Sequence, residues 1–195
     1  VYRKTEDSLL ASEGLRFGII STDIDGDGNM DLIARNVRFT FGRLIRALLS
    51  GRVGLQLQFF AMTADGNYPQ QANYVTKTSV RFSVSSGQVD IPAIQVADFD
   101  GDGLKDLMMQ TKAGRLRFNY GVPSTSLFAD ESFEMDVILP RNGDLVAAED
   151  IDGDDRADLV IRYNAADGDG SAHTVRLLIA GPRGLHFDAM KRSSN

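Results

Sequence analysis

The chain has 195 residues and a mass of 21.3 kDa, enough for one large domain or two small ones and for burial of about 70% of its unfolded surface. Hydrophobic residues at 43% and charged residues at 25% exclude wholesale disorder and collagen-like structure. The absence of cysteine excludes disulfides, thiol nucleophiles and cysteine-ligated zinc, and the formal charge of -6 conceals a very uneven distribution of acids.

Residues 1–13 read as an N-terminal extension without a signal-like stretch, and no apolar run in the chain reaches the ~18 residues needed to cross a bilayer. Alternation and turn residues then predict strands at 16–22 and 31–36, separated by DIDGDGNMD at 23–31. Phe41, Leu44, Ile45, Leu48 and Leu49 follow at helical spacing. Arg43, Arg46 and Ser50 lie on the opposite face, Thr40 is placed to cap the helix and Gly51 to stop it. A short helix near 40–50 is therefore expected as an insert before strands at 54–62 and 74–84. The segment from Leu32 to Ala64 holds five arginines and no acid. It reads either as an anion-facing surface (lipid headgroup, glycan or acidic partner, through 35–52) or as a helix covering a sheet with its arginines in water.

A second unit begins with a strand at 93–98, continues through DFDGDGLKD at 98–106 and adds strands at 106–111, 115–121 and 132–139. A third runs from 144–150 through DIDGDDRAD at 150–158 to strands at 157–163, 173–180 and 184–188. Internal repeats of this period, each offering four strands, suggest propeller blades, here bounded at roughly 14–85, 90–140 and 143–190. Met108, Met109, Phe59 and Phe60 are expected in the core.

The three nonapeptides share aspartate at the first, third, fifth and ninth places: Asp23, Asp25, Asp27 and Asp31; Asp98, Asp100, Asp102 and Asp106; Asp150, Asp152, Asp154 and Asp158. These twelve are nearly half of the 27 acids. Four carboxylates so close together repel one another unless a cation sits among them. Oxygen-only donors in a flexible loop favour Ca²⁺ over Mg²⁺. Glycine at the fourth place, and at the sixth in two loops, supplies left-handed backbone cheaply. By analogy with the calcium loop of the EF-hand, the seventh-place carbonyl of Asn29, Leu104 and Arg156 would add a backbone ligand. Asp155 stands where the other loops have Gly28 and Gly103, so the third site is expected to be the weakest. An EF-hand itself needs a glutamate at the twelfth place. Ala34, Met109 and Ile161 stand there, and strands rather than helices flank each loop.

The strand–DxDGDGxxDL–strand pattern, three times at blade-like spacing, resembles the FG-GAP and VCBS repeats of integrin α-subunit-type β-propellers. That resemblance implies up to three Ca²⁺ held by the residues above. It also implies a secreted, periplasmic or cell-surface location and a role in binding or adhesion, with a protein or glycan ligand. Propellers close with four to eight blades. Three blades therefore imply a segment of a longer chain, a ring completed by another subunit, or a different all-β arrangement; the start at Val1 and the polar KRSSN end favour the segment.

No phosphate-binding loop, HExxH, GxSxG or strand-linked GxGxxG occurs. His173 and His186 fall in predicted strands, away from any nucleophile motif. Glu131, Glu134 and Asp136 include enough carboxylates for a glycosidase, but read more simply as a charged edge strand. Nucleic acid is an unsuitable partner for an acidic chain whose arginines have no aromatic residues between them on the helix's polar face. Two functions remain: a non-enzymatic calcium-stabilised interaction module, and a propeller-scaffold hydrolase or lyase (or its accessory domain) acting on polysaccharide.

Overall fold

The computed structural model describes residues 15–37, 40–124, 126–167, 173–181 and 184–189; the extension expected at 1–13 and the polar C-terminal end lie outside them. The described residues form a mostly β structure of three antiparallel sheets with one α-helix. The first sheet comprises β1 (Leu15–Thr22), β2 (Asp31–Val37), β3 (Arg52–Phe60), β4 (Tyr74–Phe82) and the two-residue β5 (Val89–Asp90). The second comprises β6 (Ile94–Ala97), β7 (Asp106–Lys112), β8 (Arg115–Gly121) and β9 (Phe128–Asp136). The third comprises β10 (Val146–Glu149), β11 (Asp158–Arg162), β12 (Val175–Gly181) and β13 (Gly184–Ala189). In each sheet the strands lie side by side in chain order, as short connections favour.

Three expectations need correction. The first sheet has five strands rather than four, because Val89 and Asp90 pair with Phe82 and Arg81. Strand β9 starts and ends earlier than expected, and its Glu134 and Asp136 pair with Arg117 and Arg115 of β8. His173 precedes β12 in a turn at φ 62 rather than in the strand; its amide donates to Tyr163 O at 3.1 Å. His186 does fall within β13.

The sheets pack face to face, with the second in the middle. Ile33, Leu57 and Phe59 of the first sheet meet Leu107, Met109 and Phe128 of the second. Met108, Leu116 and Phe118, on the other face of the second sheet, meet Leu159, Ile161 and Leu178 of the third. Successive side chains of a strand point to opposite faces, so a strand between two neighbouring sheets must bury side chains on both faces. The buried run Leu107-Met108-Met109 meets that requirement. Phe59, Tyr74 and Phe128 form an edge-to-face triangle with centroid separations of 5.0 to 5.8 Å, a geometry that suits ring quadrupoles. At the second junction Gly143 lies so close to the segment leading into β6 that an added Cβ would fall 2.3 Å from Ala93 N. Its amide donates to Ile91 O at 2.8 Å.

The helix, α1 (Phe41–Ser50), has the expected caps: Thr40 accepts from the Arg43 amide, and Gly51 adopts φ 63 while donating to Ala47 O. Its orientation is unexpected. None of its residues is buried, and Phe41, Leu48 and Leu49 are 79%, 59% and 84% exposed. Arg43, Leu44, Arg46, Ala47 and Ser50 line a cavity against the first sheet. Thus Arg43 and Arg46 are exposed, as in a helix with its arginines in water, but the apolar stripe is exposed as well, so the helix buries neither face.

Candidate metal centres

Each DxDxDxxxD loop joins the first two strands of a different sheet: β1 to β2, β6 to β7 and β10 to β11. The local fold is the same each time, and the aspartates produce it. The first-place carboxylate accepts amides from the fourth and sixth places. Asp23 takes Gly26 at 2.9 Å and Gly28 at 3.1 Å, Asp98 takes Gly101 at 2.7 Å and Gly103 at 2.8 Å, and Asp150 takes Gly153 at 2.7 Å and Asp155 at 3.1 Å. Such short-range bonds are what aspartate offers a turning backbone. The fourth-place glycines sit at φ +74, +82 and +81, where side chains are disfavoured. At the sixth place Gly28 and Gly103 adopt +85 and +90, and Asp155 is driven into the same region at +66.

The fifth-place carboxylate receives the seventh-place amide: Asn29 N to Asp27 at 2.8 Å, Leu104 N to Asp102 at 2.8 Å and Arg156 N to Asp154 at 3.0 Å. Each seventh-place residue is thereby held beside a carboxylate. In loops one and three the seventh-place side chain also binds the second oxygen: Asn29 Nδ2 donates to Asp27 at 2.9 Å, while loop three differs in using the charged Arg156 guanidinium on Asp154.

The ninth-place aspartates Asp31, Asp106 and Asp158 are wholly buried, and each uses both oxygens to bridge two segments. One oxygen accepts the second-place amide of its own loop, from Ile24, Phe99 and Ile151, at 2.8 to 2.9 Å. The other accepts an amide at or just beyond the end of the third strand of the same sheet: Met62 at 2.9 Å, Gly121 at 2.7 Å and Ala180 at 2.7 Å. Paired buried charge is tolerated where hydrogen bonds replace water. These three donors went unnoticed in the sequence, since a backbone amide carries no side-chain signature. Only the recurrence of a residue one loop-and-hairpin downstream could have marked them.

Oxygens from three carboxylates converge within 4.8 Å of one another in every loop: Asp23, Asp25 and Asp27; Asp98, Asp100 and Asp106; Asp150, Asp152 and Asp158. The three clusters can therefore hold a metal ion, and they are built from hard oxygen donors. Asp102 and Asp154 stand outside the convergent sets of their loops, as does Asp31 in the first. Without a cation the clusters are electrostatically loaded. Burial and then the neighbouring Asp31 raise the Asp25 carboxyl above its usual range. Burial followed by Asp102 does the same to Asp100, and burial followed by Asp154 to Asp152. Burial pushes Asp106 up to about 7 even though two amides oppose the shift. Asp27 moves the other way, held down by hydrogen bonds from the Asn29 side chain and amide.

The loops also touch. Lys105, at the eighth place of loop two, donates its amide to Ile24 O of loop one at 2.8 Å, and Ala157, at the eighth place of loop three, donates to Asp98 O of loop two at 2.6 Å. An added Cβ on Gly26 would meet Leu104 at 3.4 Å, and one on Gly101 would meet Arg156 at 2.9 Å. Fourth place against seventh place is thus repeated from loop to loop, so the clusters form a row along one edge of the stacked sheets.

The acids of β9 do not form a comparable centre. Arg115 pairs with Glu134 at 3.2 Å and with Asp136 at 2.7 Å, and that guanidinium holds the Asp136 carboxyl below its usual range. No helix among the described residues is long and apolar enough to cross a membrane. No family model, curated protein or solved structure matches this chain.

Proposed function

We propose that the protein is a calcium-stabilised interaction module of the FG-GAP/VCBS type, working outside the cell or at its surface, with its three sheets as consecutive blades of a β-propeller. The observation that carries this reading is the threefold recurrence of one carboxylate cage, with the same amide bonds at the first, fifth and ninth places and with hydrogen bonds from each loop to the next. All-oxygen donors in a pliant loop suit Ca²⁺ better than Mg²⁺, which demands stricter octahedral geometry. The ion supplies positive charge that offsets carboxylate repulsion. The chain's own residues orient the carboxylates, tie each loop to its third strand and set neighbouring loops in register. Rigid loop edges of this kind suit the capture of a protein or glycan ligand.

Propeller continuation finds support in the second-place side chains. Ile24 is buried between the first and second sheets and Phe99 between the second and third. Ile151, at the same place in loop three, is 42% exposed, as a residue awaiting a further blade would be. That blade would come from the same parent chain or from another subunit.

The test is a pair of thermal melts with a calcium titration by calorimetry. Binding to the native state adds RT ln(1 + [L]/Kd), about 2.7 kcal/mol per site at a hundredfold excess over Kd. Calcium should raise the melting temperature and a chelator should lower it, with more than one Ca²⁺ bound per chain. Identical melts in calcium and chelator would overturn the reading.

A further inference from the structure

The cavity beneath α1 has a volume of about 440 Å³, within the range of small-molecule sites. Its charged lining is of one sign: Arg43 and Arg46 from the helix, Arg52 from the start of β3 and Lys77 from β4. Among the described residues the ion pairs are made by Arg115 and Arg156, so none of these four cations pairs with a described carboxylate.

Hydrophobic burial would press the helix's leucines onto the sheet, yet Leu44, Ile45, Leu48 and Leu49 all stay exposed. The chain holds it as it is. Gly51, in left-handed backbone, donates to Ala47 O at 2.8 Å and accepts from the Phe82 amide at 2.8 Å. A Cβ there would fall 2.6 Å from Phe82 O. The helix end is thus pinned to β4, with the Arg43–Arg46 face over the cavity. Four like charges around one space repel, and a bound anion is the natural counterweight.

We propose that this cavity binds a small ligand carrying two or more oxyanion groups. The guanidinium forks of Arg43 and Arg46 match the two-oxygen edge of a carboxylate, sulfate or phosphate, and Lys77 adds a point charge from the opposite wall. Ser50, Gln56 and Ser79 also line the space and offer uncharged donors for ligand hydroxyls, while Leu44 gives the carbon skeleton an apolar wall. No residue of the three acidic loops takes part, so this site stands or falls separately from the calcium reading.

The experiment is isothermal titration calorimetry on the full chain in calcium-containing buffer. The probes are a uronate trisaccharide, a sulfated disaccharide, inositol hexakisphosphate and, as neutral control, maltotriose. At least one anionic probe should bind with a dissociation constant below about 1 mM, weaken with added salt and outcompete the neutral sugar; which one binds identifies the source of the oxyanions. The double variant Arg46→Gln/Lys77→Gln should weaken that probe about tenfold or more. Arg162→Gln, an exposed change on the third sheet, should leave it unaltered. Amide resonances of Ala47, Gln56 and Ser79 should move on titration while those of the third sheet stay still. Absence of binding by all three anionic probes, equal binding by the double variant, equal loss in Arg162→Gln, or resonance shifts confined to other regions would each overturn the proposal.

Discussion

Asp106 and Gly121, the first and last residues of the β7–β8 hairpin, are joined by a 2.7 Å hydrogen bond from the glycine amide to Asp106 Oδ1. The approach leaves no room for a side chain: an added Cβ on Gly121 would lie 2.8 Å from both Leu104 Cβ and Lys105 O. The ninth-place aspartate is therefore a brace between loop and strand as well as part of the acidic cluster. Gly121→Ala should cost about 1–3 kcal/mol through overpacking and should lower the melting temperature in calcium and in chelator alike.

The third and ninth places should separate in mutagenesis. Asp25→Ala and Asp100→Ala remove carboxylates whose pKa is raised by burial and by neighbouring acids. Each should lower the melting temperature in calcium and leave it unchanged or higher in chelator. Asp106→Ala strands the Phe99 and Gly121 amides, at about 1–3 kcal/mol for each buried unpaired group, and should destabilise under both conditions. Paired melts of the three variants check this; a purely calcium-dependent loss in Asp106→Ala would contradict the bracing role.

Acidity should act in opposite directions with and without metal. The Asp106 carboxyl, at about 7 in the folded chain against 3.8 ordinarily, binds a proton more tightly when folded. Its protonation stabilises the fold fully below the unfolded value, and this contribution is lost as pH rises to about 7. In chelator the melting temperature should rise as pH falls through that window. In limiting calcium the gain from metal should shrink over the same range, because protons compete for the carboxylates. Melts across pH in the two buffers test both signs.

The third loop should bind metal least tightly, for two physical reasons. Asp155 holds left-handed backbone at φ 66, which costs about 1–2 kcal/mol for a side-chain-bearing residue, and Arg156 already neutralises Asp154. Asp155→Gly should raise stability by about 1 kcal/mol. Arg156→Gln should tighten calcium binding at this loop alone, as read by site-resolved amide shifts during titration. A titration in which this loop fills first would contradict the ranking.

Equivalent second-place residues should differ in cost according to what covers them. Phe99→Ala opens a cavity between the second and third sheets and should cost about 3–5 kcal/mol. Ile151→Ala, at a 42% exposed position, should cost less than about 1 kcal/mol. Denaturant titrations of the two variants give the comparison.

The sequence by itself determined what depends on near neighbours. Aspartate at alternate places with glycine between them dictates the coil of each loop, because every bond that shapes it, except the ninth-place brace to the third strand, spans seven residues or fewer. The caps at Thr40 and Gly51 and the placement of most strands were legible for the same reason. Tertiary structure alone decided what depends on distant partners. It chose Met62, Gly121 and Ala180 to brace the ninth-place aspartates, set Met108 and Met109 against different sheets, and drew Val89 and Asp90 into the first sheet. It also left the apolar stripe of α1 exposed and set Arg43 and Arg46 beside a cavity over the first sheet. Periodicity identifies the two faces of a helix, but where the helix sits over the sheet is fixed by the chain's anchorage at Gly51 and Phe82, a contact between residues that no local pattern connects.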